Sequence, residues 1–375
     1  MMALDAPNDS NLLRNVDKFP SGHGYPTEQL PTFKLKNEVI WTNPNKNLKF
    51  PFLFEKGQRD VDLGIFLQPE KHAIPEGNRT LGVRWGHGRS ADIGKVFFRD
   101  SSRPDLVYRD IDIKGAGYVT GAMSSLGEKL TSRQWRPRES PAVGYAGLLG
   151  KGYALHDSAM SETLTQKGMR THRSLAIIKL HELPLLSDNS QVEIMPIAEL
   201  QKRSLLPSDF EPVLQVRAYG VKTRVANFLM KNAVQINHTP DDIKSDVEDA
   251  ISLVRYETEG AVKDALGYLR WFARTLGKNV QLLDKAGYSH RYLDPQNITL
   301  DCCIVDLDSV VRSQNLDSSP QKVKTSDYYV AQESLTRFCV DVLDLYGYES
   351  EGALLDSPLR MELENVYADS FSEKL

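Results

Sequence analysis

Between His290 and Asp308 the chain sets out side chains that could hold a metal ion against phosphate. The stretch reads His290-Arg291-Tyr292-Leu293-Asp294-Pro295-Gln296-Asn297, and nine residues after the asparagine comes Asp306, in Ile304-Val305-Asp306-Leu307-Asp308. A loop presents a carboxylate and an amide, and a short apolar strand pair, Ile298 to Val305, then ends in two further carboxylates. Divalent ions that bridge nucleotide phosphates take few protein ligands, all hard oxygens, and keep part of their water. Asn297 and Asp306 are therefore the candidate metal ligands. Asp-Pro and Asn are also ordinary turn formers, so the loop gains meaning only from the elements around it.

The chain has 375 residues, room for two lobes, and an ordinary globular composition of 41% hydrophobic and 26% charged residues. Its net charge of −4 gives no general polyanion or membrane-surface signature, so neither a nucleic-acid nor a membrane partner is expected. Three cysteines, Cys302, Cys303 and Cys339, make no disulfide framework. The first twenty residues hold no signal-peptide core, and no uncharged apolar run is long enough to span a bilayer. A cytoplasmic setting follows as the expectation.

Residues 1–30 read as a flexible arm and 31–80 as an N-terminal extension of short apolar pieces. From Leu81 the rhythm sharpens. Leu81–Trp85, Ile93–Phe98 and Leu106–Lys114 alternate or are β-branched, and Gly86-His87-Gly88 and polar turns separate them, which predicts three antiparallel strands. The third ends at Lys114-Gly115-Ala116-Gly117. A glycine-rich stretch with a basic patch (Arg133, Arg136, Arg138) follows, then a helix from about Leu155 to Lys167 that stops at Gly168. This helix carries Asp157 and Glu162, about 140° apart around its axis, so at most one can reach Lys114. Thr171–Lys179 and Val213–Val216 read as further strands, completing a sheet of about five with one helix on it. After Val221 the chain turns helical. Val262, Leu266, Leu269, Phe272, Leu276, Val280 and Leu283 mark a long helix with one buried stripe that delivers the chain into the His290 loop. Two more helices are expected, one carrying Leu335, Phe338, Val342 and Tyr346, the other near 359–367.

This order resembles the protein-kinase-like architecture, an α+β bilobal fold. Residues 81–218 would form a small antiparallel-sheet lobe with one helix, and 219–375 a mainly helical lobe. His290 to Asn297 lies over the kinase pattern His-Arg-Asp-Leu-x-x-x-Asn, with Tyr292 where a kinase has its catalytic-base Asp. Lys114 falls where such folds place the lysine that holds nucleotide phosphates.

Four stretches, in the right order, are similar to the selenoprotein O family of kinase-like protein adenylyltransferases. They are Lys114 to Gly117; Ser161 to Leu175, over the family's Ser-Glu-Ala-Met-x-x-Leu-Gly-Ile-Pro-Thr-Thr-Arg-Ala-Leu; the pair Arg217 and Arg224; and His290 to Asn297 with Asp306 nine on. Together they cover about 80 to 310. The resemblance implies ATP as cofactor with Mg²⁺ or Mn²⁺ on Asn297 and Asp306. It implies Lys114 on the phosphates beside Gly115 and Gly117, Asp157 as the acid that orients Lys114 with Glu162 as the alternative, and Arg217 and Arg224 as phosphate clamps on a flipped nucleotide. The carboxylate that the family carries just before the metal Asn is Gln296 here, while Asp294 stands two positions earlier, and this makes Asp294 the candidate proton acceptor. The arginine-bearing loop expected after Gly117 reads Tyr118-Val119-Thr120, and the family's C-terminal redox motif is absent.

The implied reaction is transfer of AMP to a hydroxyl on a protein or a small molecule. Two rivals stand beside it. One is a kinase passing on the γ-phosphate, which Asp306-Leu307-Asp308 would also serve; the other is a nucleotide-binding pseudokinase scaffold, which Tyr292 and Gln296 favour.

Overall fold

Pro212 to Tyr219 is a strand in which every residue is buried, and its alternation is unusual. Leu214, Val216 and Ala218 join an apolar core on one face, while Gln215, Arg217 and Tyr219 fall on the other. A strand covered on both faces normally reads as a continuous apolar run. A buried polar face is the exception, and here it is the face that carries the site.

The computed structural model describes residues 28–48, 50, 54–67, 80–83, 90–117, 147–186, 192–229, 240–313, 327–348 and 357–373. In chain order the elements are β1 (Glu28–Lys34), β2 (Asn37–Thr42), β3 (Ile65–Leu67), β4 (Thr80–Val83), β5 (Ser90–Asp100), β6 (Arg103–Lys114), β7 (Leu149–Gly150), α1 (Lys151–Gln166), β8 (Arg173–Leu180), β9 (Glu182–Leu186), β10 (Val192–Pro196), α2 (Ile197–Lys202), β11 (Pro212–Tyr219), α3 (Val225–Leu229), α4 (Pro240–Glu257), α5 (Ala265–Lys285), β12 (Tyr288–Ser289), β13 (Val311–Arg312), α6 (Asp327–Leu345) and α7 (Pro358–Ser372). The main sheet is antiparallel, in the order β2-β8-β11-β6-β5-β4-β1-β3 with β7 paired to β11. It is larger than the five strands expected. The stretch read as a separate extension instead supplies β1 to β3, so the predicted division near residue 80 runs through the sheet. The arm to residue 27, Gly86-His87-Gly88, Tyr118 to Thr120 and the Arg133, Arg136 and Arg138 patch lie outside the described residues.

Among the described residues of the sheet lobe the long helix is α1, which packs on β8 and β11. Gly168, at φ +91°, ends its C-terminal turn, and the Met169 amide donates to the Leu164 carbonyl. Below lies a helical lobe. Leu269, Phe272, Leu276, Val280 and Leu283 of α5 bury against Leu335, Phe338 and Val342 of α6 and Leu363 and Tyr367 of α7. Gly277 permits a close approach of α5 to α7, because a Cβ there would meet the Tyr367 carbonyl at 2.5 Å. The mixed α+β architecture expected, an antiparallel sheet with its helix and a helical lobe, is the fold found. Among the described residues no helix is long and apolar enough to cross a membrane.

The lobes are stitched at several points. The Ile304 amide donates to the Arg170 carbonyl at 3.0 Å, Asn279 of α5 accepts from the Arg170 amide at 2.9 Å and donates to the Cys302 carbonyl at 2.9 Å, and the Val107 amide of β6 donates to Glu257 of α4 at 2.8 Å. These bonds fix the segment 290–310 beneath the polar face of the sheet.

Candidate functional site

The register of β6 on β11 sets the rungs of that face: Lys114 opposite Gln215, Arg217 opposite Asp112, Tyr219 opposite Asp110. Side chains directly across an antiparallel pair lie close enough to bond. Arg217 Nε and Nη2 donate to the two carboxylate oxygens of Asp112 at 3.0 and 2.8 Å, and Nη2 also reaches Ser90 Oγ at 3.0 Å. Lys222 adds a second cation to Asp112 at 3.4 Å and bonds Asp92 at 2.5 Å.

From below, Asp306 meets this face. Its Oδ1 accepts from Lys114 Nζ at 2.8 Å and lies 3.4 Å from Arg217 Nη1, and its Oδ2 lies 3.0 Å from Arg224 Nη1. Asp308 stands 3.6 Å from Lys114. Asp306 has left-handed backbone, φ 55° and ψ 50°, a conformation that a non-glycine residue holds at some cost and that recurs at functional positions. Burial pushes its carboxyl toward the neutral form, and the opposing charges of Arg224, Lys114 and Arg217 outweigh this, holding it well below the usual carboxylate range.

The His290 loop is braced from three sides. His290 Nε2 bonds the Val305 carbonyl at 2.8 Å, and the His290 and Arg291 amides donate to Asp327 at the start of α6, at 2.8 and 3.0 Å. Asp294 caps a short turn by accepting from the Gln296 amide at 2.8 Å. Asn297 donates through Nδ2 to the Tyr292 carbonyl at 2.6 Å, and among the described residues no donor bonds its side-chain oxygen. The Tyr292 side chain is 54% exposed.

Lys114, Arg217, Arg224 and Asp306 are brought together, with Asn297 and Asp294 on the adjoining loop. Two expectations are corrected. Lys114 bonds Asp306, not Asp157, whose Oδ2 is taken by His172 at 2.8 Å and Gln215 at 2.6 Å. Glu162 is not an alternative partner, because Arg173 occupies both its oxygens at 2.9 and 2.7 Å and Asn43 shares one of them at 2.6 Å. The glycines act on the backbone: Gly115, at φ +94°, lies where a Cβ would meet the Val213 carbonyl at 2.5 Å and Leu149 Cβ at 2.7 Å. Gly117 is likewise at positive φ, 104°.

The arginine pair divides. Arg217 is fully buried and fixed by Asp112, whereas Arg224 keeps 16% of its side chain exposed and has Asp306 as its acid and the Gln296 carbonyl, at 2.7 Å, as its other acceptor. Sequence reading missed Asp112, Ser90, Lys222, His172 and Gln215. The signal available for two of them, Asp112 and Gln215, was polar residues two apart in otherwise apolar strands, Asp110-x-Asp112-x-Lys114 and Gln215-x-Arg217-x-Tyr219.

No family model matches the chain, and no curated relative does. Solved structures that align with it include the kinase domain of a specific rhoptry antigen of Toxoplasma gondii, 9% identical over 91% of this chain and 87% of that one at a TM-score of 0.30. Another is ROP2 of Toxoplasma gondii, described as a virulence factor with a protein-kinase fold and no enzymatic activity, 10% identical over 80% of this chain and 85% of that one at a TM-score of 0.29. Neither singles out the selenoprotein O family.

A divalent ion fits the donors at the loop. Among the described residues no group of three or more His, Cys, Asp or Glu side chains could hold a metal by itself. The uncommitted Asn297 oxygen and the Asp306 carboxylate are hard donors of the kind that complete a shell with phosphate oxygens and water.

Proposed function

We propose that the chain binds ATP with Mg²⁺ or Mn²⁺ between its lobes and transfers AMP to a hydroxyl on a protein or small-molecule acceptor. The observation that carries this reading is the meeting of Lys114, Arg217 and Arg224, from three separate segments, on the single carboxylate Asp306. A triphosphate offers the same cations several anionic oxygens, and arginine's planar fork suits them. Asn297 and Asp306 would hold the ion, which when bound supplies positive charge to the phosphates.

Lys114 and Arg224 change partner from carboxylate to phosphate, and Arg217, anchored by Asp112, sets the floor against which they close. The acceptor hydroxyl oxygen attacks the α-phosphorus, the bond from that phosphorus to the oxygen bridging to the β-phosphate breaks, pyrophosphate leaves, and the hydroxyl proton passes to Asp294. Asp294 spends one oxygen on the Gln296 amide and is only half-buried, so the other is reachable. Tyr292 has no carboxylate to offer at the place where a kinase holds its base, which supports AMP transfer over γ-phosphate transfer.

A scaffold that binds nucleotide without turning it over is the second reading. It is favoured by the three ion pairs that already occupy the proposed metal ligand Asp306. Incubation with Mn²⁺ and α- or γ-labelled ATP, followed by intact mass, separates the readings. Self-modification by AMP that disappears in Asp306→Ala is the expected result. An added phosphate would replace it with the kinase reading, and no added mass alongside ligand-induced thermal stabilisation would replace it with the scaffold.

A further inference from the structure

The segment from His290 to Ser309, which carries Asn297 and Asp306, holds three hydroxyls: those of Tyr292, Thr299 and Ser309. Two of them are spent on the fold. Thr299 is fully buried and its Oγ1 donates to Asp301 Oδ1. Ser309 Oγ bonds the Asp306 carbonyl at 3.0 Å and faces His290 Nδ1 at 3.3 Å, so it braces the loop. On the sheet above, the Tyr219 hydroxyl is buried and faces Asp112 at 3.5 Å. Burial holds that phenol well above its ordinary range, which keeps it a poor nucleophile. Tyr292 differs from all three, because its side chain is exposed.

The backbone of Tyr292 is pinned beside the proposed metal ligands. Asn297 Nδ2 donates to the Tyr292 carbonyl at 2.6 Å, so the amide whose oxygen is offered to the ion also holds Tyr292. The Val305 amide donates to the Asn297 carbonyl at 3.0 Å and thereby fixes this loop against the residue before Asp306. Arg291 takes a left-handed backbone, φ 73°, a conformation that costs a non-glycine residue and recurs at functional positions. Its guanidinium stands over the Tyr292 ring, 5.6 Å from the centroid, which restrains the ring without covering the hydroxyl at its far end.

Resting on the AMP-transfer reading above, we infer that Tyr292 is the chain's own acceptor, taking AMP from ATP bound in the same molecule. Tyr292 Oη attacks the α-phosphorus, and the bond from that phosphorus to the oxygen bridging to the β-phosphate breaks. Pyrophosphate leaves with the electron pair, and the phenol proton passes to Asp294, two residues along the same loop. The product is a phosphodiester joining the tyrosine to adenosine. A hydroxyl carried on the loop that holds a metal ligand avoids the entropic cost of a bimolecular encounter, so the transfer runs within one chain.

Incubation of the full chain with Mn²⁺ and ATP, followed by digestion and mapping of the modified peptide by mass, tests this. AMP is expected on Tyr292. Tyr292→Phe, which deletes only an exposed hydroxyl, should take up AMP at least about tenfold more slowly, while ATP still raises its melting temperature as it does that of the wild type. The wild-type rate per molecule should not change on dilution by about tenfold, and Asp306→Ala mixed with the wild type should stay unlabelled. AMP on another residue, undiminished labelling or a lost thermal shift in Tyr292→Phe, or labelling of Asp306→Ala by the wild type would overturn the proposal and leave AMP transfer standing. Phosphate in place of AMP, or no addition to the wild type, would overturn both.

Discussion

The Arg173 cluster and the Asp306 cluster are built from the same parts, cations against carboxylates, and they differ in how far they are closed. Arg173 is one fully buried cation serving two acids: it bonds both oxygens of Glu162 and, through Nη1, Asp100 at 2.6 Å. Each acid also has a neutral helper, Asn43 for Glu162, and Asn45 and Ser102 for Asp100. Asp306 is one acid serving three cations, and a quarter of its side chain meets solvent. The first arrangement is closed and satisfied, so it holds β5, α1 and β8 together. The second is open at Asp306, and of its cations Arg217 also holds Asp112 and Lys114 also nears Asp308, while Arg224, with Asp306 as its acid, is the one that stands partly exposed at that surface.

The largest effect belongs to the closed cluster. Arg173→Met strands two buried carboxylates, and breaking a buried ion pair from one side costs about 3–5 kcal/mol. Urea denaturation should show a loss of that order, and a loss below about 1 kcal/mol, the range of an exposed pair, would remove the contrast between the clusters. Arg224→Ala should do the reverse. Its stability change should stay within about 1 kcal/mol, as for a partly exposed pair, while ATP affinity falls about tenfold or more, equivalent to about 1.4 kcal/mol of binding. Unchanged affinity would mean that Arg224 serves only Asp306.

Much of this was legible in the chain and some was not, for physical reasons. The strands ending at Lys114 and crossing Arg217 announce themselves by alternation, and α5 by its three-and-four stripe. Lys114, Asn297 and Asp306 stood out as residue types suited to phosphate and metal, and Arg217 and Arg224 through the family resemblance alone. Which acid Lys114 meets was not, since Asp157, Glu162 and Asp306 all offer a carboxylate and only tertiary packing gives the first to His172 and the second to Arg173. The contribution of β1 to β3 to the sheet was hidden because strand pairing across long separations leaves no local periodicity, and Pro and Asn break those segments into pieces that read as irregular. The division between the buried and the reachable arginine is set by the β6–β11 register, which puts Asp112 opposite Arg217 and no acid of the sheet opposite Arg224.

Acid titration acts on both clusters in the same direction. Asp306 is held low by Arg224, Lys114 and Arg217 against its burial, so its contribution to stability is complete above its unfolded value, about 3.9, and is lost as pH falls through the lower folded value. Asp100 is also lowered, burial opposing and Ser102 and Arg173 prevailing, and follows the same sign. Stability measured from about pH 5 downward should therefore fall in the wild type. The fall should be shallower in Asp306→Asn, and an identical slope would mean that the three cations do not hold Asp306 in its charged form.

The same Asp306→Asn variant gives the smallest and sharpest test, because it acts oppositely on two ligands. Replacing the carboxylate by an amide removes the anion that now competes for Lys114 and Arg224, while leaving an oxygen of similar size. Metal-free tripolyphosphate should then bind about threefold more tightly than to the wild type, a change of well under the 1.4 kcal/mol that marks a factor of ten. Binding of Mg²⁺–ATP should move the other way, since the amide is a poorer ligand for a hard cation. Opposite shifts in paired titrations would place Asp306 between the cations and the metal. Weakening of both ligands would show instead that Asp306 organises Lys114 and Arg224 for phosphate, and the cluster around Asp306 would then be a structural brace like the one around Arg173.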